Sequence, residues 1–184
     1  VLKDGDPVAT TPLTIYIDER RNTATVEVGS ERVVMRPGQW SRFCRVSFEM
    51  APMGAMNLGG IVRFYLRSIG PDFVLYASPV NFDPVAPVDA ISYPEDASAD
   101  LAAAIGDYYT QGMAEEVSAL KDGAFTDAEF MAQAELVYLE RARMLDHALD
   151  RYVANEEGGL LFFYVSSVDL AMHMMWRHQD PEHP

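Results

Sequence analysis

Residues 158–184 read GGLLFFYVSSVDLAMHMMWRHQDPEHP. Gly158 and Gly159 break the pattern before them, and Leu160 to Val168 is then almost wholly apolar, β-branched and aromatic. That composition predicts a strand buried on both faces, of the kind found in a parallel sheet. Asp169 stands where the strand should end, and His173 follows four residues later. In open α/β sheets, sites lie outside the carboxyl ends of the strands. A carboxylate and an imidazole placed there can share one metal ion. The spacing by itself is weak: 15 Asp and 4 His in 184 residues give about a third of one D-x-x-x-H match by chance. The plain alternative is that Asp169 caps the next helix and His173 packs on it.

The context of the pair is more specific than its spacing. Leu160 to Tyr164 (LLFFY), Asp169, His173 and then Met174-Met175-Trp176-Arg177 occur in that order, followed by Asp180-Pro181-Glu182-His183-Pro184. This stretch resembles the type I phosphodiesterase/nucleotide pyrophosphatase family of the alkaline phosphatase superfamily. The resemblance implies that Asp169 and His173 are metal ligands and that the strand belongs to an alkaline-phosphatase-like α/β sheet. Weaker likenesses to the same family lie in Gly38-Gln39-Trp40-Ser41, Arg63-Phe64-Tyr65-Leu66, Tyr76-Ala77-Ser78-Pro79 and Tyr108-Tyr109-Thr110-Gln111-Gly112-Met113. They imply that the amino-terminal half is an inserted, strand-rich cap.

One hundred and eighty-four residues, 49% of them hydrophobic, suffice for one domain or two small ones with a real core. The formal net charge of −14 argues against non-specific nucleic-acid binding and against docking on an anionic membrane surface. A phosphate-ester site in so acidic a chain would need cations to offset the repulsion. Cys44 is the only cysteine, so no intrachain disulfide forms. No run of 18 apolar residues occurs. The first residues lack Met and the look of a signal peptide, and the last follow directly on the D-x-x-x-H motif. The expectation is an internal piece of a longer polypeptide.

The amino-terminal half alternates. Strands are predicted over 13–17, 23–28, 32–36, 40–50, 61–69 and 73–77, with Ala51 to Gly60 a flexible loop. Cys44, Val46, Phe48 and Met50 fall on one face of the fourth strand; Val62, Phe64 and Leu66 oppose Arg63, Tyr65 and Arg67 in the next. Six short strands with close turns predict an antiparallel sheet or small sandwich. Arg45, Arg63 and Arg67 form either an anion-binding patch or, the plainer reading, a solvated face paired with nearby carboxylates.

Pro79, Pro84, Pro87 and Pro94 mark residues 79–97 as a connector. Domains are therefore drawn at 1–78 (cap), 79–97 (connector) and 98–184 (helices and the D-x-x-x-H strand). Ser98 is expected to cap a helix to about Tyr108, with a second over 114–121. Thr126-Asp127-Ala128-Glu129 is a capping box that starts the longest helix, to about Tyr152. Its predicted apolar stripe is Met131, Ala134, Tyr138, Ala142, Leu145, Leu149 and Tyr152. Glu140 and His147 are expected on its solvated side. The fold class is thus α+β: an antiparallel insertion, then helices and one buried core strand.

The family's reaction is hydrolysis of phosphate esters with two divalent ions, usually zinc. A Ser or Thr nucleophile attacks phosphorus, and water then releases the phosphate. The resemblance assigns Asp169 and His173 to that centre and nothing more. The family's nucleophile and remaining ligands have no counterpart here, and His178, Asp180 and His183 read more simply as a polar connecting loop than as a second metal site. P-loop, G-x-S-x-G and CxxC patterns are absent. The expected function is part of a metal-dependent phosphoesterase acting on a small phosphate-ester substrate, whether monoester, diester or pyrophosphate. The chain would be inactive alone and completed by the remainder of the catalytic domain. The competing class is a non-catalytic binding or structural domain.

Overall fold

Alternation along the chain decides its first half. In Thr23-Ala-Thr-Val-Glu-Val28 the side chains of Ala24, Val26 and Val28 point one way and are buried, while Thr23, Thr25 and Glu27 point the other. A pleated strand with one covered face requires that period of two. The computed structural model describes residues 9–50 and 57–182 in full, and the backbone of 2–3, 6–7, 51 and 56. Its strands are β1 (Leu2–Lys3), β2 (Asp6–Pro7), β3 (Leu13–Asp18), β4 (Thr23–Val28), β5 (Glu31–Met35), β6 (Gln39–Trp40), β7 (Cys44–Ala51), β8 (Met56–Val62), β9 (Phe64–Ser68) and β10 (Val74–Ala77). The helices are α1 (Ala97–Ile105), α2 (Val117–Lys121), α3 (Asp127–Ala154) and α4 (Ser166–Met175), and a 3-10 turn, Trp176–Gln179, follows. The chain is mixed α and β, and every strand pairing among the described residues is antiparallel. It divides into two compact units, Val1–Ala99 and Asp100–Pro184.

In the first unit, small sheets in the orders β3-β4-β5, β10-β9-β6 and β7-β8 enclose one apolar core. Ala24, Val26, Val28, Val33 and Met35 come from the first sheet, Cys44, Val46 and Val62 from the third, and Phe64 and Leu66 from the second. Each fully buried aliphatic side chain contributes roughly 1.5–3 kcal/mol, so this shared core, rather than any one sheet, holds the unit together. The predicted faces of β7 and β9 hold for Cys44, Val46, Phe64 and Leu66.

Two predicted strands are broken. The expected strand 40–50 splits into β6 and β7 around Ser41 and Phe43, and 61–69 splits at Arg63. At Arg63 the chain leaves the β7-β8 sheet and enters the β10-β9-β6 sheet. Backbone groups freed at such a crossing must find other partners. Ser78 Oγ accepts from Arg63 N at 3.0 Å, and Ser41 Oγ accepts from Phe64 N at 2.9 Å. Two serines thus close the gap that a single-sheet reading leaves out. The loop expected over 51–60 is also shorter: β8 begins at Met56, and 52–55 lie outside the described residues.

The proline-marked connector packs on this unit. Ile61 and Asn81 exchange both backbone hydrogen bonds at 2.8 Å. Arg45 Nε donates to Asp83 at 2.8 Å, the carboxylate pairing expected of that arginine. The Arg63 guanidinium lies over the Phe43 ring, 4.1 Å from its centroid, where the ring quadrupole attracts it. Ser98 does not cap α1. Its hydroxyl donates to the Pro84 carbonyl and its N–H donates to Ser92.

In the second unit the Thr126/Glu129 capping box is present in full, and α3 runs to Ala154. The buried face of α3 is Phe130, Gln133, Ala134, Val137, Glu140 and Met144. The predicted stripe was displaced by about one residue: Met131, Tyr138, Leu149 and Tyr152 are exposed, and Glu140, expected in solvent, is 1% exposed. The displacement goes with the polar contacts that α3 makes, in addition to those with α2 and α4, to the irregular segment 106–116: Glu140 and Gln133 turn inward to bond its backbone.

The strand expected over Leu160 to Val168 is the largest difference. Residues 160–165 form neither helix nor strand and pair with no strand among those described, and α4 begins at Ser166. Leu160 is 93% exposed and Phe162 83%, whereas burial on both faces was expected. A strand needs neighbours to satisfy its backbone and cover its side chains; the described residues provide no strand partner and cover one side only, where Phe163 packs against Ala102, Tyr108 and Met144.

Two outcomes follow from this core. Gly60 faces Val46 across β7-β8, and a Cβ there would meet Val80 Cγ1 at 2.5 Å and the Asn81 carbonyl at 2.7 Å. Gly60→Ala should cost about 1–3 kcal/mol, measured by urea unfolding. The Cys44 thiol is fully buried, and burial pushes its pKa up, opposed by Arg42, aided by Glu31 and opposed by Ser41. A thiol pKa raised in the fold contributes stability below the unfolded thiol's pKa, and that stability is lost as pH rises through the folded value. Alkylation of Cys44 at about pH 8 should therefore track global unfolding in denaturant.

Candidate functional site

Asp169 and His173 lie on one face of α4, one turn apart. Residues four apart on a helix face each other, and here Asp169 Oδ1 and His173 Nε2 are 3.4 Å apart. Both side chains are open to solvent, 52% and 74% exposed. With Met172 and Trp176 they line one cleft of about 540 Å³. The Tyr164 hydroxyl stands 3.5 Å from the other Asp169 oxygen. Asp169 is in the first turn of the helix and not at the end of a sheet strand, so a correction applies to the expected location: the chain turns helical three residues earlier than the strand reading placed it. Nor does Asp169 cap the helix, the plain alternative from the sequence: the N-cap is Val165, and Asp169 stands inside the first turn, where the helix dipole favours an acidic group.

The two donors fit one small cation. Zinc held at about 2.0–2.1 Å by an oxygen and a nitrogen in tetrahedral array needs those atoms roughly 3.3–3.4 Å apart. No third ligand accompanies them: among the described residues there is no group of three His, Cys, Asp or Glu side chains able to hold a metal. His178 does not join them. Its Nε2 lies 2.8 Å from Asp127 Oδ2, and Arg177 bonds the other Asp127 oxygen. Asp180 accepts from Glu182 N in a local turn, and His183 lies outside the described residues.

What fixes α4 is a set of buried polar contacts that sequence reasoning missed. Gln133, on the buried face of α3, accepts from Glu116 N at 3.1 Å and donates to the Ala114 carbonyl at 2.9 Å. Between those two residues Glu115 is 4% exposed. Its carboxylate accepts from Ser167 Oγ at 2.6 Å and from Ser166 Oγ at 3.2 and 3.3 Å. A buried carboxylate costs several kcal/mol unless it is hydrogen-bonded, and these two hydroxyls offset that cost. Glu140 accepts from Tyr109 N at 2.9 Å. Burial pushes the neighbouring Tyr108 phenol up, Arg141 opposing and Glu140 adding to it. Tyr108 and Tyr109 are buried, while Gln111, Gly112 and Met113 of the same segment are exposed. His147, expected at the surface, has a solvent-inaccessible Nε2 without a hydrogen-bond partner among the described residues. Nothing in the local sequence marks Glu115: it is one of two adjacent acids before a short helix.

An apolar groove of about 580 Å³ runs between α3 and α4, lined by Met131, Glu135, Tyr138 and Val168 among others. No described helix is long and apolar enough to cross a membrane. No protein-family model, curated protein or solved structure matches this chain.

The anchor at the far end of α4 can be tested directly. Asp127→Ala removes the acceptor of both Arg177 and His178. All three side chains are at least a third exposed, so the loss in global stability should be under about 1 kcal/mol. Amide exchange over 176–179 should accelerate while the rest of α3 is unchanged, as read by hydrogen–deuterium exchange.

Proposed function

We propose that this chain is part of a metal-dependent phosphoesterase of the phosphodiesterase/nucleotide pyrophosphatase type, in which Asp169 and His173 are two of the metal ligands. The observation that carries the reading is the 3.4 Å separation of Asp169 Oδ1 and His173 Nε2 in an open cleft. It matches the spacing of two donors around zinc without movement of either side chain. Divalent cations, two of them on this reading, would supply charge stabilisation for the attacking and leaving oxygens of a phosphate ester. This chain's own part is narrower. Asp169 offers a carboxylate oxygen, His173 a ring nitrogen, and the exposed indole of Trp176 forms a wall of the same cleft.

Two donors are fewer than the three of a catalytic zinc site or the four of a structural one. The remaining ligands and the nucleophile therefore come from elsewhere in a longer polypeptide. The unpaired segment 160–165 supports the same division. Its exposure alternates, with Leu160, Phe162 and Tyr164 outward and Leu161, Phe163 and Val165 half-buried, as in a strand waiting for sheet neighbours. On this reading it enters the alkaline-phosphatase-like α/β sheet of the catalytic domain, and residues 1–78 are the inserted cap. The competing reading, a non-catalytic binding or structural domain, is favoured by the place of Asp169 in a helix first turn, where a carboxylate needs no metal to be stabilised.

Hydrolysis of bis(4-nitrophenyl) phosphate with added zinc or manganese separates the two. The chain alone should show no turnover. A longer polypeptide containing it should turn the ester over, and Asp169→Ala or His173→Ala should lower that rate at least about a hundredfold. Turnover by the chain alone that vanishes in Asp169→Ala would overturn the division of ligands. An inactive longer polypeptide would favour the binding-domain reading.

A further inference from the structure

We infer that Glu115 is a positioning residue for the Asp169–His173 pair, acting through the hydroxyls of Ser166 and Ser167; the inference rests on the cation-binding reading of that pair. The first turn of α4 has little else to fix it. The helix is ten residues long, and its N-cap, Val165, provides no side-chain hydrogen bond. Helices this short are marginal on their own and fray first at their ends. Asp169 lies in that first turn, three residues beyond Ser166 and so on the neighbouring part of the same face. Fraying of that turn would release Asp169 from helical geometry, and the one-turn spacing that brings its carboxylate to His173 would be lost. Metal donors must hold their places within about 0.2 Å.

Glu115 meets that requirement in a way an apolar contact would not. Its two oxygens take hydrogen bonds from two successive hydroxyls, at 2.6 Å from Ser167 and at 3.2 and 3.3 Å from Ser166. Two successive helical residues tied to one carboxylate fix rotation as well as distance. Glu115, Ser166 and Ser167 are each more than nine-tenths buried, so the bonds form away from water, where they are strongest. Glu115 is itself held from behind, because Gln133 binds the backbone of Ala114 and Glu116 on either side. At the far end of α4, Arg177 and His178 grip Asp127. The helix is thus tied at both ends to the first turns of α3 and the segment before α2, with the cation donors between the ties.

The test uses the whole 184-residue chain and Co²⁺ as the probe, followed by its visible absorption and by calorimetry, at a temperature where circular dichroism shows each variant folded. Wild type should bind Co²⁺ weakly, and Asp169→Ala should abolish binding. Glu115→Ala should weaken it about tenfold. Glu115→Gln, which keeps the shape and one acceptor oxygen, should fall between. The double variant Ser166→Ala/Ser167→Ala should match Glu115→Ala, and combining all three should add nothing further, because they break one interaction. Hydrogen–deuterium exchange should quicken over 166–170 and not over α3. Wild-type Co²⁺ affinity in folded Glu115→Ala, or in the serine double variant, would overturn the positioning role while leaving the cation reading intact. Absence of Co²⁺ binding by wild type, or binding that survives Asp169→Ala, would overturn the cation reading and the role of Glu115 with it.

Discussion

The second unit depends on how an irregular buried segment satisfies its own backbone. Residues 106–116 form neither helix nor strand, yet Tyr108, Tyr109, Ala114, Glu115 and Glu116 are buried. Peptide groups in such a segment must find partners, since each one left unpaired costs about 1–3 kcal/mol. Side chains from α3 do it: Glu140 takes the N–H of Tyr109, and Gln133 binds both sides of Glu115. Once that segment is set, Glu115 has a fixed place, and Ser166 and Ser167 find their acceptor. The position of α4, and of Asp169 and His173 on it, is the end of this chain of contacts. A helix α3 with a purely apolar inner face would pack as tightly but would fix none of it.

The first unit solves the same problem differently. Its backbone groups are mostly paired in short ladders, and the difficulty arises only where the chain changes sheet. Ser41 and Ser78 act at that point, on Phe64 N and Arg63 N. With them in place, three small sheets can share one core without an orphaned donor at the crossing. Gly60 lets the connector lie close enough for Ile61 and Asn81 to pair. Any side chain at Gly60 would push the proline-marked segment off the sheet.

The proposed function rests on two features of the second unit. The donor pair has the spacing of a cation site but not its count, and the unpaired segment 160–165 has the alternation of a strand but not its neighbours. One hypothesis accounts for both, a catalytic sheet and ligand set supplied by further polypeptide. On that reading the cations would also offset the repulsion between a phosphate ester and a net charge of −14.

By itself the sequence determined the elements with a strong local signal. The alternation of Thr23 to Val28, the Thr126/Glu129 capping box and the turn at Pro37-Gly38 are local physics, and each appears where it was read. The spacing of Asp169 and His173 also brings the two side chains together, though on one turn of α4 and not at the end of a strand as the sequence suggests. The tertiary structure decided the rest. The buried face of α3 is turned by about one residue because Gln133 and Glu140 face inward to bond an irregular segment that no periodicity announces. The apolar run at Leu160 was taken for a buried strand because a run shows hydrophobicity and not whether neighbours are present to cover it. Glu115 was invisible for the same reason: a carboxylate between Ala114 and Glu116 looks like solvent-facing surface until two serines fifty residues away are folded against it.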